Sequence, residues 1–265
     1  MNKTNFKVVI PARYASSRLP GKPLRLIAGK PMIQHTYERA IQSQASEVCI
    51  ATDDQRIIDV VSQFTDNFIM TSAKHSSGTE RLAEVLALKN WSEETIVVNV
   101  QGDEPLVLPA HINLVAQALT NNDLPSMATL ATPITAVEEL VNTNSVKVVM
   151  DYRGHALYFS RAVMPWARDA FAEASIFGGG KALSQVPENS SWFRHIGMYA
   201  YRGSALKHYM TLAPCMLEKT ESLEQLRLLY NGIAIHVSII TDEPGHGVDI
   251  EEDIAKVEAL LRSSV

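Results

Sequence analysis

Short apolar runs rich in β-branched residues alternate along this chain with segments of helical periodicity. The short runs are almost continuously apolar, which is typical of strands buried on both faces of a parallel sheet. In the longer segments, apolar residues recur every three or four positions, as on one face of a helix. The alternation predicts βαβ units and an α/β fold around a mainly parallel sheet.

The same pattern predicts where each element lies. The predicted strands span residues 6–10, 48–52, 68–71, 96–100, 127–133, 146–150, 156–159, 196–201 and 235–240. The predicted helices span 31 to about 44, a segment with Ile57, Ile58, Val61 and Phe64 on one face, 82–88, 109–119, 223–230 and 250–261. Helices become fewer after about Met127, which predicts a smaller mixed-sheet portion within a single domain of residues 1–265.

The composition is that of an ordinary globular protein. Apolar residues make up 46% of the chain and charged residues 20%, which argues against disorder. No apolar run reaches the ~18 residues of a membrane span, and the first residues lack the apolar segment of a signal peptide. Cys49 and Cys215 lie far apart, so we expect reduced thiols and a cytoplasmic protein.

A cationic loop follows the first predicted strand. Arg13, Arg18 and Lys22 alternate there with small residues, and seven Lys or Arg residues precede Glu38, the first acidic residue. Open α/β sheets bind ligands at the carboxyl ends of their strands, and guanidinium and ammonium groups suit phosphate oxygens. The loop therefore predicts a site for an anionic small molecule, with a solvated basic turn as the alternative.

A nucleic-acid-binding module built on this basic segment is the competing class of function. The whole chain is acidic, with a formal net charge of −5, and only Phe6, Tyr14 and Tyr37 accompany the cations. Single-stranded binders place more aromatic residues among their cations. We therefore expect no nucleic-acid partner.

Two carboxylates lie where a metal ion can use them. Asp103 follows the apolar strand 96–100 at the same predicted sheet edge as the cationic loop. It can hold Mg²⁺, or it can act as a turn-forming residue. Asp249 precedes the closing helix, where it can cap the helix, bind the metal, or do both. Residues 251–253 are expected to be ordinary acids of a first helical turn.

The remaining polar candidates carry weaker signals. Alternation places His195 and Tyr199 on one strand face, which is more typical of a solvated strand than of a site. Glu224 and Gln225 are predicted within a helix, where exposure to solvent is the default. Residues 170–191 are predicted to be a mobile surface insertion, because their Gly-Gly-Gly-Lys run lacks the Ser or Thr of a Walker loop.

Seven motifs occur in order along the chain, and together they resemble the 3-deoxy-manno-octulosonate cytidylyltransferase family. They are Pro11-Ala12-Arg13 through Lys22-Pro23, Gly78-Thr79-Glu80-Arg81, Asn99 through Pro105, Ala156 through Arg161, Arg194 through Tyr199, Leu223 through Arg227, and Gly247-Val248-Asp249. The resemblance covers about residues 6–261.

The resemblance implies a three-layer α/β/α fold of the nucleotide-diphospho-sugar-transferase type. It implies transfer of CMP from CTP to 3-deoxy-D-manno-octulosonate (Kdo), with Mg²⁺ as cofactor, in a homodimer that serves lipopolysaccharide biosynthesis. Residues 1–126 would mainly bind nucleotide, 127–248 would bind the sugar and form the dimer, and 249–265 would be the closing helix. A related sugar acid, amino-Kdo or sialic acid, is the alternative substrate.

The resemblance also assigns roles to individual residues. Arg13, Lys22, Asp103 and Asp249 would be catalytic, the two aspartates as metal ligands. The nucleotide-binding residues would be Pro11, Ala12, Arg13, Arg18, Lys22, Ser77, Gly78 and Gln101. The sugar-binding residues would be Gln101, Arg161, His195, Tyr199, Glu224 and Gln225. The chain departs from the family pattern at Lys74 and Ser76, which flank the loop histidine, and at Ile250-Glu251, which replaces Thr-Pro.

Overall fold

The computed structural model describes residues 5–15, 19–75, 77–120, 126–172, 183, 185–187 and 192–263. Arg18, Ser76 and the Gly-Gly-Gly-Lys run lie outside these ranges, so the predictions made for them stay predictions. None of the helices in the described ranges is long and apolar enough to cross a membrane.

The described residues form strands and helices in alternation, which confirms the α/β class. The strands are β1 (Phe6–Ala12), β2 (Leu26–Ile27), β3 (Lys30–Pro31), β4 (Glu47–Thr52), β5 (Phe68–Met70), β6 (Ile96–Asn99), β7 (Met127–Pro133), β8 (Lys147–Met150), β9 (Ala156–Ser160), β10 (Phe193–Arg202) and β11 (Ile235–Ile239).

Most of the helices are short. They are α1 (Met32–Ala40), α2 (Gln55–Val61), α3 (Gly78–Leu88), α4 (Pro109–Gln117), α5 (Val137–Val141), α6 (Arg168–Ala172), α7 (Gly203–Tyr209), α8 (Met216–Glu221), α9 (Leu226–Tyr230) and α10 (Glu251–Ser263), with a 3₁₀ turn at Lys22–Leu24.

The chain divides into two compact units. Unit 1 comprises residues 1–128, 198–211 and 244–265, and unit 2 comprises residues 129–197 and 212–243. The boundaries at residues 128 and 197 fall within β7 and β10. Each unit is therefore assembled from separate stretches of sequence.

Unit 1 contains the mainly parallel sheet. The strand order is β10, β6, β1, β4, β5, in which the end of β10 pairs antiparallel to β6 and the other pairs are parallel. Val9 pairs with both Cys49 and Asn99 at the centre of the sheet. Because β1, β4, β5 and β6 are parallel, the loops that follow them emerge at one edge.

A small apolar cluster in unit 1 joins the first and last parts of the chain. Leu19, Ile27, Met32, Val248 and Val257 are all buried in it. Burying a side chain of this size stabilises the fold by about 1.5–3 kcal/mol. The cluster therefore fixes α10 against the chain segment that follows the cationic loop.

Unit 2 contains further strands of the nine-stranded sheet that the described residues form, and its own apolar cluster. β7 lies between β11 and β10, and the start of β10 pairs antiparallel with β8, which pairs antiparallel with β9. Ile134, Leu140, Phe171 and Trp192 form the cluster. The prediction of a surface insertion over residues 170–191 is therefore wrong at Phe171, which is buried at the end of α6.

The structure corrects several predicted boundaries. The helix predicted over 31–44 ends at Ala40, and α3 begins at Gly78 rather than at residue 82. The helix predicted over 223–230 begins at Leu226. The β2–β3 hairpin and α5 to α8 have no counterpart in the prediction, because elements of two to seven residues show too little periodicity to be recognised.

Candidate active site

A cavity of about 330 Å³ opens at the carboxyl edge of the unit 1 sheet. Seven residues predicted to form the site line it: Pro11, Ala12, Arg13, Lys22, Gly78, Gln101 and Asp103. They come from the end of β1 and the residue after it, from the 3₁₀ turn at Lys22–Leu24, from the turn after β6 and from the start of α3. The structure thus brings together residues from three of the predicted motifs.

The backbone needs glycine at two positions beside this cavity. A Cβ atom on Gly102 would lie 2.9 Å from the carbonyl oxygen of Pro11, too close for any side chain. Gly21 has φ +69°, a conformation that favours glycine, and the Tyr14 ring lies 3.2 Å from where its Cβ would be. A side chain at Gly102 would therefore push apart the backbone segments after β1 and β6 that line the cavity.

Lys22 is the centre of the charged part of the cavity. Its Nζ donates to Asp103 Oδ2 at 2.5 Å, to the Val248 carbonyl oxygen at 2.7 Å and to Asp249 Oδ1 at 3.4 Å. The Lys22 side chain is only 12% exposed. The ammonium group is thus held by two carboxylates that lie far from it in the sequence.

Asp103 and Asp249 are brought to one place by this arrangement. The backbone N–H of Val248 also donates to the Asp103 carbonyl oxygen at 2.9 Å, which ties the two segments directly. Within the described ranges, no group of three or more His, Cys, Asp or Glu side chains is arranged to hold a metal. Two carboxylates nevertheless fit Mg²⁺, which binds one or two carboxylates and takes its other oxygens from substrate and water.

Asp253, expected to be an ordinary first-turn acid, caps α10. The helix begins at Glu251, and Asp253 Oδ2 accepts from the backbone N–H groups of Asp249 (3.0 Å) and Ile250 (3.2 Å). Burial alone raises the pKa of Asp253, but these N–H groups, Lys256 and His246 outweigh it and lower the pKa to about 2. Asp249 thus lies one residue outside the N-cap position that the sequence suggested for it.

The start of α3 forms another part of the cavity wall. Ser77 is the N-cap, and its hydroxyl oxygen accepts from the Glu80 backbone N–H at 3.2 Å. Arg81 is fully buried and contacts Asp53 at 3.1 Å as well as the Thr71 hydroxyl. These contacts fix the first turn of α3, where Gly78 lines the cavity.

The loop before α3 is held by a contact that the sequence did not reveal. His75 Nε2 lies 2.5 Å from Glu84 Oε2, which also accepts from the Ser72 backbone N–H at 2.8 Å. Lys74, one of the departures from the family pattern, is exposed. An i, i+9 spacing across a loop and a helix start has no sequence signature, so only the fold exposes this pair.

Arg161 lies in unit 2, just after the end of β9. Its Nε donates to the Glu221 carbonyl oxygen at 2.7 Å and its Nη1 to the Thr143 carbonyl oxygen at 3.0 Å. Phe159 and Ser160 at the end of the strand are both buried, and Arg161 follows the strand as a partly buried residue.

His195 also belongs to unit 2, where it is an internal residue of β10. Its Nε2 is 2.9 Å from the Thr129 hydroxyl, and its ring packs edge-on against Phe159 with centroids 4.9 Å apart. Burial, and secondarily the charge of Arg194, lower the pKa of His195 to about 3. The imidazole therefore stays neutral even at about pH 5, where an exposed histidine is mostly protonated.

Glu224 and Gln225 lie on the turn before α9, not within a helix as predicted. Gln225 is only 4% exposed. Glu224 Oε1 and Gln225 Nε2 are both buried and have no hydrogen-bond partner among the described residues. Buried polar atoms in native proteins almost always have partners, so these two atoms are available to a polar ligand.

Tyr199 belongs to the part of β10 in unit 1. It pairs in register with Asn99 of β6, and its ring lies 6.0 Å from that of Tyr201. Tyr201 in turn is 3.1 Å from the Thr79 hydroxyl in α3. Tyr199 is thus on the strand next to the one that leads to Gln101 and Asp103.

Comparison with known proteins places these features in a family. A cytidylyltransferase family model matches residues 7–239. A 3-deoxy-manno-octulosonate cytidylyltransferase of Pseudomonas fluorescens is 52% identical over 258 residues, covering 97% of this chain and 98% of the relative. The protein of the same name from Cellvibrio japonicus is 54% identical over 257 residues, with the same coverage.

Solved structures agree with this grouping. The structure of CMP:2-keto-3-deoxy-manno-octonic acid synthetase complexed with CTP has a TM-score of 0.86 and 41% identity, covering 98% of this chain and 99% of that chain. A putative glucose-1-phosphate thymidylyltransferase from Bacillus anthracis, at 16% identity and a TM-score of 0.62, shares the fold. The α/β nucleotidyltransferase fold is confirmed, and the chain belongs to the 3-deoxy-manno-octulosonate cytidylyltransferase family.

Proposed function

We propose that this protein transfers the cytidylyl group of CTP to the anomeric hydroxyl of Kdo and releases pyrophosphate. The observation that carries the proposal is the unit 1 cavity, in which Arg13 and Lys22 lie beside Asp103 at the carboxyl edge of a parallel sheet. This edge is where open α/β sheets bind nucleotides. The names of the relatives, and the CTP in the solved relative, support the choice of nucleotide and sugar acid.

In this proposal the cationic loop binds the triphosphate. Arg13, Arg18 and Lys22 contact the phosphates, since guanidinium and ammonium groups form charge-assisted hydrogen bonds to phosphate oxygens. The cytidine lies against Pro11 and Ala12 after β1, and against Ser77, Gly78 and Gln101. The first turn of α3 adds backbone N–H groups and a favourable helix dipole beside an anion.

Asp103 and Asp249 are proposed as the ligands of Mg²⁺. Their support is that both carboxylates contact the same Lys22 ammonium, so a dication beside it would meet oxygen donors from both. When bound, the cation supplies neutralisation of phosphate charge. Lys22 and Arg13 contribute to the same task, because the leaving pyrophosphate gains negative charge as the bond breaks.

The sugar acid is proposed to contact Arg161, His195, Tyr199, Glu224, Gln225 and Gln101. Arg161 donates its Nε and Nη1 hydrogens to the carbonyl oxygens of Glu221 and Thr143. Its Nη2 group has no hydrogen-bond partner in the described part of the chain. A guanidinium with free donors suits the carboxylate of a 2-keto sugar acid. The unpartnered amide and carboxylate on the α9 turn suit sugar hydroxyls.

The reaction needs no protein nucleophile, but it does require the two substrates to be aligned. The anomeric hydroxyl attacks the α-phosphorus in line with the leaving pyrophosphate, and both substrates are anionic. The cationic side chains reduce their repulsion, and fixed contacts to the sugar acid hold the hydroxyl in reach. Such alignment supplies several kcal/mol of the barrier reduction, as intramolecular reactions demonstrate.

One assay tests this proposal. Purified protein is incubated with CTP, Mg²⁺ and one of three sugar acids (Kdo, amino-Kdo or sialic acid), and pyrophosphate release is measured. We expect turnover with Kdo at the highest kcat/KM and none with EDTA. Preference for either of the other acids would reassign the substrate, and rapid turnover in EDTA would refute the metal.

Three further parts of the proposal concern the cell. We propose a homodimer, a cytoplasmic location and a role in making the activated sugar for lipopolysaccharide. Family membership supports all three, and Cys49 and Cys215 are both free and buried, as suits a reducing compartment. Analytical ultracentrifugation tests the dimer, and fractionation of cells tests the location.

A further inference from the structure

The Glu221 carboxylate in unit 2 connects the end of β9 to the end of α8, and both segments lead to residues that we propose contact the sugar acid. Glu221, the last residue of α8, accepts from the Ser160 hydroxyl with Oε1 at 2.6 Å. Its Oε2 accepts from the Arg161 backbone N–H at 3.0 Å. Both carboxylate oxygens are therefore engaged at the end of β9.

The same residue also orients the Arg161 side chain. The Glu221 carbonyl oxygen accepts from Arg161 Nε at 2.7 Å, and the Thr143 carbonyl oxygen accepts from Nη1 at 3.0 Å. The carboxylate thus bonds the main chain of Arg161 and leaves the guanidinium to neutral carbonyls. The guanidinium is held in one orientation without a carboxylate on its donors.

The chain turns sharply directly after Glu221. Ser222 has φ 53° and ψ 48°, a left-handed conformation that is uncommon for a residue with a side chain. This turn leads within three residues to Glu224 and Gln225, whose buried polar atoms lack partners among the described residues. Glu221 therefore fixes the end of β9 and the start of this turn together.

We propose that Glu221 is a positioning residue for the sugar acid, acting through Arg161 and through the turn that carries Glu224 and Gln225. The proposal rests on the proposed function, since it assumes that Arg161 contacts the substrate carboxylate. Glu221 itself contacts the protein only. Its removal should weaken use of the sugar acid and leave use of CTP unchanged.

The test measures the KM for Kdo and for CTP by pyrophosphate release, each at a saturating level of the other substrate. Hydrogen bonds that hold a charged group contribute enough for Glu221→Ala to raise the KM for Kdo about tenfold. The KM for CTP should stay within about twofold, and Glu221→Gln, which keeps one acceptor oxygen, should recover part of the loss. Glu138→Ala, which removes an exposed carboxylate from α5, is the matched control.

A double-mutant cycle separates positioning from general stability. Because part of its effect passes through Arg161, Glu221→Ala should raise the KM for Kdo less in an Arg161→Ala protein than in the wild type, and the rise that remains measures the path through the turn. Independent, multiplying effects would overturn the proposal, as would an equal rise in the KM for CTP. Should Glu221→Ala fail to fold, Glu221→Gln and Ser160→Ala carry the same comparison.

The outcomes also separate this proposal from the proposed function. An Arg161 effect on Kdo without a Glu221 effect overturns the positioning role alone. Absence of any Arg161 effect overturns both the sugar contact and the positioning role. If another sugar acid is the one turned over, the Glu221 variants are compared on that acid, and the same tenfold rise is expected.

Discussion

The ammonium of Lys22 lies 2.5 Å from Oδ2 of Asp103, although 81 residues separate the two in the sequence. This contact joins the cationic loop after β1 to the turn after β6. The ion pair between the Lys22 ammonium and the Asp103 carboxylate fixes the positions of both side chains at the same edge of the sheet.

Replacing Lys22 should therefore affect both chemistry and local charge balance. We expect Lys22→Met to lower kcat by about 10²–10³, the usual loss when one charge-stabilising donor is removed. The variant also leaves Asp103 and Asp249 without their shared cation, so Mg²⁺ should raise its melting temperature more than that of the wild type. Lys22→Arg, which keeps the charge, should recover only part of the rate, and wild-type rates for Lys22→Met would contradict the assignment.

Removing the Asp249 carboxylate should change the Mg²⁺ dependence of activity, whereas removing the Asp253 carboxylate should change stability. Asp249→Asn should raise the Mg²⁺ concentration needed for activity and leave the melting temperature nearly unchanged. Asp253→Ala removes the cap of α10 and should cost about 1 kcal/mol of stability. Glu252→Ala, exposed on the same helical turn, is the control and should change neither. If Asp249→Asn lowered the melting temperature and Asp253→Ala did not, Asp249 would be the helix cap and its role as a metal ligand would be refuted.

Arg161 should influence the sugar acid selectively. Arg161→Ala should raise the KM for Kdo about 10- to 100-fold, since a charge-assisted bond contributes about 1.5–3 kcal/mol. Arg161→Lys should recover part of the loss, because an ammonium cannot form a two-point fork with a carboxylate. Arg153→Ala, an exposed arginine of the same unit, should leave both KM values unchanged. An equal rise for CTP would place Arg161 on the phosphate side.

His195 should make stability depend on pH. Its pKa is about 3 in the folded protein, whereas an unfolded histidine titrates near about 6.5. The unfolded chain therefore binds more protons between these values, so stability is complete above about pH 6.5 and falls below it, by at most about 1.4 kcal/mol per pH unit. Thermal unfolding between pH 7.5 and 5 should show a smaller pH slope for His195→Gln, whereas the exposed His208→Gln should keep the wild-type slope.

The sequence predicted the parallel part of the fold well because its strands are continuous apolar runs. The predicted bounds of β1, β4, β5 and β6 agree with the observed ones within one or two residues. The hairpin of β2 and β3 was missed, since two-residue strands leave no pattern. In the structure, the turn between these two strands is formed by Ala28 and Gly29, which both have positive φ.

The candidate site was predicted unevenly for a similar physical reason. Motif residues that follow strands, such as Gln101 and Asp103, could be placed at a sheet edge from the topology alone. The contact of Glu221 with the Arg161 N–H group joins a helix end to a backbone 60 residues away, and sequence spacing does not encode that. The cap formed by Asp253 is local, but the sequence pattern suggested Asp249 for the capping role instead. Glu224 was misplaced because a short turn before α9 has the same apolar spacing as a helical turn.

The division of unit 1 into three separate stretches has a consequence for protein synthesis. The cationic loop leaves the ribosome first, whereas Val248, Asp249 and α10, which hold Lys22 and close the cluster around Leu19, leave it last. The nucleotide pocket therefore cannot be completed until nearly the whole chain has emerged, and contacts over such separations are slow to form. A nascent chain stalled before residue 248 should have the strands of the pocket without its closed charge network, and this makes the site a late reporter of correct folding.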